Sequence, residues 1–375
     1  MKRKELIISY QALVFSFFLF LSACAPKSVA DIDIVKENIE EITIPQTDDE
    51  DASILPPPFS EEVVLLGDKP ILHRGQEDSW DSSLIIPGVV VKHGSLFHLF
   101  YTGMKITRQL DSGGIGYAIS TNGYDWHRVA DAPLLTWEET VGTDLWIRVS
   151  DVYIDESGEW TLYFSSNSRA ISEEASAIWR ATASTPTGPW EFDDIPLLEA
   201  GSLGAWDQFG VIEPVVLEMK DSYRMYYLNQ RRDNRNGLSA IGMATSTDRI
   251  SWTKYNDPTT EQEFTESDFV KTLGEGTVGF QEIQAFDLWQ DDTGYGMLFF
   301  YGGRSTNTMS YANSSDGIVW TDSENNPLLT ADNISFLGVL SAPRMIYLDN
   351  KYHFYFYGSA DQNRPSGEIY MVVEE

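Results

Sequence analysis

One aromatic-rich element recurs five times in this chain, and that recurrence limits the fold more than any other feature. Its first copy is Phe97-His98-Leu99-Phe100-Tyr101-Thr102-Gly103. It returns as Trp160 to Ser166, Tyr223 to Asn229, Tyr295 to Tyr301 and Tyr352 to Gly358. The first three copies start 63 residues apart, and the next two follow after 72 and 57. A second element comes after each of the first four: Gly116 to Trp126, Arg180 to Trp190, Gly242 to Trp252 and Ser310 to Trp320. Its Ser-x-Asp/Asn-Gly core is turn chemistry, since Gly and Asn tolerate positive φ. A third element places Pro before two hydrophobic residues, at Pro70-Ile71-Leu72, Pro133-Leu134-Leu135, Pro196-Leu197-Leu198 and Pro327-Leu328-Leu329. No long segment has helical periodicity, and short strands are broken by Gly, Asn, Asp and Pro.

About four strands per unit, repeated five times, specify an all-β five-bladed β-propeller over residues 61–375. The inner strands are expected at Leu84 to Val91, Ile147 to Ile154, Val211 to Leu217, Ile283 to Trp289 and Leu340 to Tyr347. The last unit runs out after Gly367 to Val373 with three strands. Val63 to Leu66 is therefore expected to supply its outer strand, closing the ring and removing an open edge. Residues 257–280 read as a loop inserted in the fourth unit.

The N-terminus has another character. Lys2, Arg3 and Lys4 precede an apolar stretch from Leu6 to Leu21, then Leu21-Ser22-Ala23-Cys24. A basic start, an apolar core and small residues before a cleavage point form an export signal. The last four residues resemble a bacterial lipobox, which implies lipidation at Cys24, the one cysteine of the chain. The expectation is a signal peptide over 1–23 and a protein held outside the cytoplasm by a lipid anchor in the membrane. Residues 24–60 carry Asp48-Asp49-Glu50-Asp51 and Pro56-Pro57-Pro58. Charge repulsion and the proline run make that segment a stand-off tether.

The inner strands also carry the chemistry. The acid-Pro-x-Val form of Glu213-Pro214-Val215-Val216, with the Ser-x-Asp-Gly-x-x-Trp turns, resembles the five-bladed glycoside hydrolases, families 43 and 32 being the nearest types. The resemblance covers residues 61–375. It implies three carboxylates on the first three inner strands and places Glu213 at the general-acid position. Arg148-Val149-Ser150 falls where the family has Arg-Asp-Pro, and Ile86-Pro87 falls at the first slot, so two of the three family carboxylates are replaced by Val149 and Ile86. The turns also resemble the Asp box of sialidases, but the spacing and the number of units disfavour that class.

An acidic residue stands at the approach to three inner strands instead. Trp80-Asp81 lies six residues before Pro87, Asp144 six before Ser150, and Trp206-Asp207 seven before Pro214. Glycoside hydrolysis needs two carboxyl groups across the scissile bond, about 5–5.5 Å apart for retention and about 6.5–9.5 Å for inversion. The expected assignment is Glu213 as acid and Asp81 as base, with Asp144 or Asp207 tuning or binding. Arg148, Gln284, Glu282 and Arg344 are the remaining polar candidates for holding substrate, with Trp80 and Trp206 for stacking. The competing reading of the approach aspartates is turn capping and blade packing, because they recur.

The balance of 26 Lys+Arg against 57 Asp+Glu, a net charge of −31, argues against a nucleic-acid partner. No organic cofactor and no metal are expected, and nothing in the pattern calls for an oligomer, so a monomer is expected. The reading is a surface-anchored glycoside hydrolase acting on extracellular oligo- or polysaccharide, or else a carbohydrate-binding propeller without catalysis.

Overall fold

The structure is a computed structural model that describes residues 63–65, 69–107, 112–136, 147–167, 175–230, 239–260, 267–273, 282–303, 306–330, 334, 337–349, 351–360 and 366–374. The signal segment, Cys24 and the tether lie outside the described residues, as do Asp144 and Trp146. Backbone contacts divide the chain into Met1–Ser53 and Ile54–Glu375, and the description that follows concerns the second unit.

The described residues form strands and turns, with no helix among them. A three-residue strand, β1 (Val63–Leu65), precedes the first full sheet. That sheet runs β2 (Leu84–His93), β3 (Leu96–Lys105), β4 (Ser112–Ser120) and β5 (His127–Arg128), with β6 (Leu135–Thr136) also on β4. The second runs β7 (Ile147–Ile154), β8 (Trp160–Asn167), β9 (Ser176–Ala183) and β10 (Glu191–Phe192). The third runs β11 (Val211–Glu218), β12 (Tyr223–Asn229), β13 (Ala240–Ser246) and β14 (Thr253–Lys254), with β15 (Phe269–Thr272) also on β13. The fourth runs β16 (Glu282–Asp291), β17 (Gly294–Gly303), β18 (Thr306–Ser314) and β19 (Thr321–Asp322), with β20 (Leu329–Thr330) on β18. The fifth runs β21 (Val339–Leu348), β22 (Lys351–Ser359) and β23 (Glu368–Glu374), and β1 pairs antiparallel with β23, Val63 facing Glu374.

These are the five blades of a β-propeller. The first strand of each sheet is innermost, and the inner strands pack in a ring: β2 on β7 and β21, β7 on β11, β11 on β16, and β16 on β21. The second strand of each blade lies inside its sheet, with neighbouring blades against its faces. It therefore cannot alternate polar and apolar residues, which is why the aromatic element recurs. Phe100, Tyr163, Tyr226, Phe300 and Tyr355 are buried on these strands. Each such ring contributes roughly 2–3 kcal/mol by leaving water.

The turn element is a side-chain-built loop. Ser120 Oγ accepts from the backbone N–H groups of Asn122 and Gly123 at 3.2 and 2.9 Å, and Asn122 Oδ1 accepts from Tyr124 and Asp125. Ser246 with Asp248 and Ser314 with Asp316 repeat the pattern. The Pro-hydrophobic-Leu element returns to the third strand of a blade. Leu135 and Leu329 do so within β6 and β20, while Leu198 makes a single bridge to Ile178 and Leu72 one to Ile369. The expected 257–280 loop differs from the structure here, because Phe269–Thr272 fills that same edge position on β13. The insertion lengthens the route to this strand and does not remove it.

Candidate active site at the propeller axis

Every inner strand bulges at one place. The register slips between Pro87 and Val89, Val149 and Asp151, Ile212 and Val215, Ile283 and Ala285, and Ser341 and Arg344. A bulge adds backbone that has no partner on the next strand and re-aims the side chain it carries. In the third and fifth blades two residues, Glu213-Pro214 and Ala342-Pro343, stand opposite a single residue of the next strand. Glu213 and Ala342 take left-handed φ values of 56° and 54°. A non-glycine residue there costs about 1–3 kcal/mol and persists only when its surroundings hold it.

Glu213 is held from three sides. Its N–H donates to Ser165 Oγ of the neighbouring blade at 2.9 Å. Arg344 Nη2 donates to Oε2 at 3.0 Å. Arg148 Nε lies 2.5 Å from Oε1, without hydrogen-bond alignment, so Oε1 has no hydrogen-bond partner among the described residues. The Glu213 side chain is 0% exposed. Burial pulls the Arg148 guanidinium down from its ordinary value, and the Glu213 carboxylate opposes that pull.

Arg344 crosses the axis. It donates from Nε to Gly88 O of the first blade, from Nη1 to Phe286 O of the fourth at 2.8 Å, and to Glu213 of the third. Arg148 adds the second blade through Glu213, so one chain of charged groups joins all five inner strands. Arg344 was expected to meet substrate. The structure places it 2% exposed, with its donors spent on the protein.

Two further carboxyls sit on the inner strands, and sequence reasoning did not select them. Asp151 accepts from Val216 N at 2.6 Å and Val152 N at 2.8 Å, and burial pushes its carboxyl up to about 7. Asp287 accepts from Met345 N at 2.7 Å and Leu288 N at 3.0 Å, and burial pushes it up to about 6, against the pull of Arg344. Each thereby pins the backbone of the next blade. The only signal in the sequence was an acidic residue inside an apolar inner strand.

The approach aspartates occupy a different setting. Asp81 is 2% exposed and meets Tyr101 Oη at 3.2 Å, Arg128 Nε at 3.1 Å and Ser79 Oγ at 2.9 Å. Asp207 is 0% exposed and meets Lys254 Nζ at 2.5 Å and Tyr227 Oη at 3.4 Å. The two networks match part for part: approach Asp, second-strand Tyr, and a cation on the fourth strand. Trp80 stacks on Tyr101 and Trp206 on Tyr227, with ring centroids 5.8 and 5.7 Å apart. Their indole N–H groups bond to Asp131 O and Ser267 Oγ. No contact among the described residues links either aspartate to Glu213.

Of the two slot residues, Val149 follows the expected register and Ile86 does not. Val149 N donates to Thr102 Oγ1 at 3.2 Å, as Glu213 N does to Ser165 Oγ one blade later. Val149 therefore holds in the second blade the place of Glu213 in the third, and it is 0% exposed. Ile86 pairs with Thr102 as Arg148 pairs with Ser165, so it is Pro87, opposite Tyr101 and just before the bulge, that holds the first-blade place of Val149. Gln284 is the extra residue of the fourth bulge, and Glu282 opens β16 opposite Gly302.

The architecture has solved counterparts. A thermostable family-43 glycoside hydrolase matches at TM-score 0.57 and 14% identity, over 77% of this chain and 89% of the other. The five-bladed architecture is thus one that solved glycoside hydrolases share. A structure described under the family 130 of mannoside phosphorylases, as containing glycoside hydrolases that target β-1,2 mannosidic linkages in Candida mannan, matches at TM-score 0.61 and 13% identity, over 84% and 94%. A family-117 glycoside hydrolase from Zobellia galactanivorans matches at 0.56 and 16%, over 83% and 88%. No protein-family profile and no curated protein matches the sequence. At this identity the likeness concerns the fold.

Proposed function

We propose that this protein is a glycoside hydrolase-like propeller, lipid-anchored through Cys24 outside the cytoplasm, that acts on an oligo- or polysaccharide at the axial end where the inner strands begin. The observation that carries this reading is Glu213. It is a carboxylate placed by a strained bulge on the third inner strand, at the position the resemblance assigns to the general acid. Arg344 anchors one oxygen, and the other has only an unaligned contact with Arg148. A saccharide that draws Arg148 aside leaves Oε1 to take up a proton from solvent and give it to the glycosidic oxygen as that bond breaks. Asp144, on the approach to β7, is the partner carboxyl, a choice that rests on its sequence position. Asp81, the earlier choice, is already committed to Arg128, Tyr101 and Ser79.

A second reading, saccharide binding without turnover, is favoured by one observation. Val149 in the second blade and Pro87 in the first stand where Glu213 stands in the third, so neither place carries a carboxylate, and Val149 is sealed from solvent. A panel of aryl-glycosides and plant and microbial glycans, run with wild type, Glu213→Gln and Asp144→Asn, separates the two. Hydrolysis that falls at least a hundredfold in Glu213→Gln, with the melting curve recorded alongside, supports the first reading. Hydrolysis that neither variant slows refutes the assignment. A glycan that raises the melting temperature and is never cleaved supports the second.

A further inference from the structure

The two arginines at Glu213 are not equivalent, and their difference points to a substrate class. Arg344 is spent: 2% of its side chain is exposed and it donates to Gly88 O, Phe286 O, Pro343 O and Glu213 Oε2. Arg148 is not. Its side chain is 22% exposed, its Nε makes an ion contact without a hydrogen bond, and no described residue accepts from its Nη atoms. A guanidinium has five donors in a planar fork that matches a carboxylate in two parallel bonds. Glu213 therefore faces two positive charges and already shares its own with the buried one. Among the described residues, Glu213 and Arg344 are the charges acting on Arg148, while Asp151 answers to Asp287 and Arg344, and Asp287 to Arg344.

We infer that the saccharide addressed at this site carries a carboxylate, as a uronic acid residue does, and that Arg148 takes that group through its Nη fork. The inference rests on the saccharide reading above and narrows it. A neutral sugar closing over Arg148 would bury a guanidinium with only a shared counter-charge, which is costly. A sugar carboxylate supplies the missing charge and two aligned acceptors. The chain's net charge of −31 repels acidic glycans at long range, but salt screens that field beyond about 8 Å at physiological ionic strength. The contact at Arg148 is then decisive. The same contact draws Arg148 from Glu213 Oε1, so recognition of the acid group prepares the carboxylate beside it.

The test is a pair of calorimetric titrations of the full-length protein, with oligogalacturonides and glucuronic-acid-bearing xylo-oligosaccharides set against their carboxyl-reduced counterparts. The readout is the ratio of affinities within each pair. Wild type should prefer an acidic member at least tenfold. Arg148→Ala should bring that ratio near one, and Arg148→Lys, which keeps the charge and loses the fork, should fall between. Melting curves confirm that each variant is folded, and Arg148→Lys serves if the alanine variant is not. Equal affinity for acidic and reduced forms, or a ratio unchanged in both variants, overturns the inference and leaves the saccharide reading standing. No binding by either class overturns both.

Discussion

Removal of Arg344 should be among the most damaging single changes to the propeller, and the structure sets the size of the effect. Arg344→Met fills similar volume, so little cavity forms. It leaves Glu213 0% exposed, with Oε2 bare and Oε1 facing only the unaligned Arg148. Stranding one partner of a buried pair costs about 3–5 kcal/mol. Gly88 O and Phe286 O also lose their donors across the axis, adding about 1 kcal/mol in all. The expected loss is thus about 5 kcal/mol, a large part of the roughly 5–15 kcal/mol that holds a domain together. For a domain of this size that lowers the melting temperature by roughly 8 °C.

The double variant Glu213→Met/Arg344→Met decides whether the charge is the cause. A buried pair replaced on both sides by apolar groups is near neutral or stabilising, and Arg148, already 22% exposed, can turn to solvent. The double variant should therefore recover most of the loss, with a coupling of about 3 kcal/mol in a urea-melt cycle. A single variant costing less than about 1 kcal/mol, or two effects that simply add, would refute the account of Arg344 as the tie between blades.

Two other outcomes follow from the buried charges. The folded-state values of Asp151, about 7, and Asp287, about 6, lie above the ordinary 3.8, so the folded chain keeps protons that the unfolded chain has lost. Their contribution favours folding most below about pH 4 and is lost as pH rises to about 7. Melting temperatures between pH 5 and 8 should fall less steeply in Asp151→Asn than in wild type, and identical slopes would reject burial as the cause. In the third blade, Lys254→Met should cost about 3 kcal/mol by stranding Asp207, with Arg128→Met milder in the first because Asp81 also has Ser79; urea midpoints measure both, and a loss below about 0.5 kcal/mol for Lys254→Met would remove the structural role given to Asp207.

The blades were legible because each repeat element answers a constraint present in every blade. A second strand packed on both faces must be apolar throughout, and a hairpin turn built from Ser and Asx side chains needs those residues at fixed spacing. The expected inner strand Ile147 to Ile154 coincides with β7, and Val211 to Leu217 falls one residue short of β11. The site was only half legible. Glu213 stood out as the acid of the acid-Pro-x-Val strand, but its partner Arg344 lies 131 residues away and reaches it across the axis. Convergence of that kind depends on bulges, which leave no spacing signature. The matched networks of Asp81 and Asp207 did leave one. Arg128 and Lys254 each stand two residues after a repeat tryptophan, Trp126 and Trp252, in the blades that carry Trp-Asp. In the second blade that position is Phe192.

The third and fifth blades show how near-identical units acquire different roles. Their inner strands share a two-residue bulge ending in proline and a first bulge residue with φ near 55°. The backbone therefore offers each the same direction for a side chain. In the fifth blade Ala342 leaves that direction empty, and the axis is filled by Arg344, two residues on. In the third, Glu213 extends along it and meets that arginine. The cost of the left-handed conformation is met in both cases, but only Glu213 returns it as a contact that joins blades. The same carboxylate is the one the saccharide reading needs. Stability and recognition thus draw on one group, and Arg148 is the member of the cluster able to respond to a ligand, because its contact with Glu213 is unaligned while Arg344 holds the other four inner strands together.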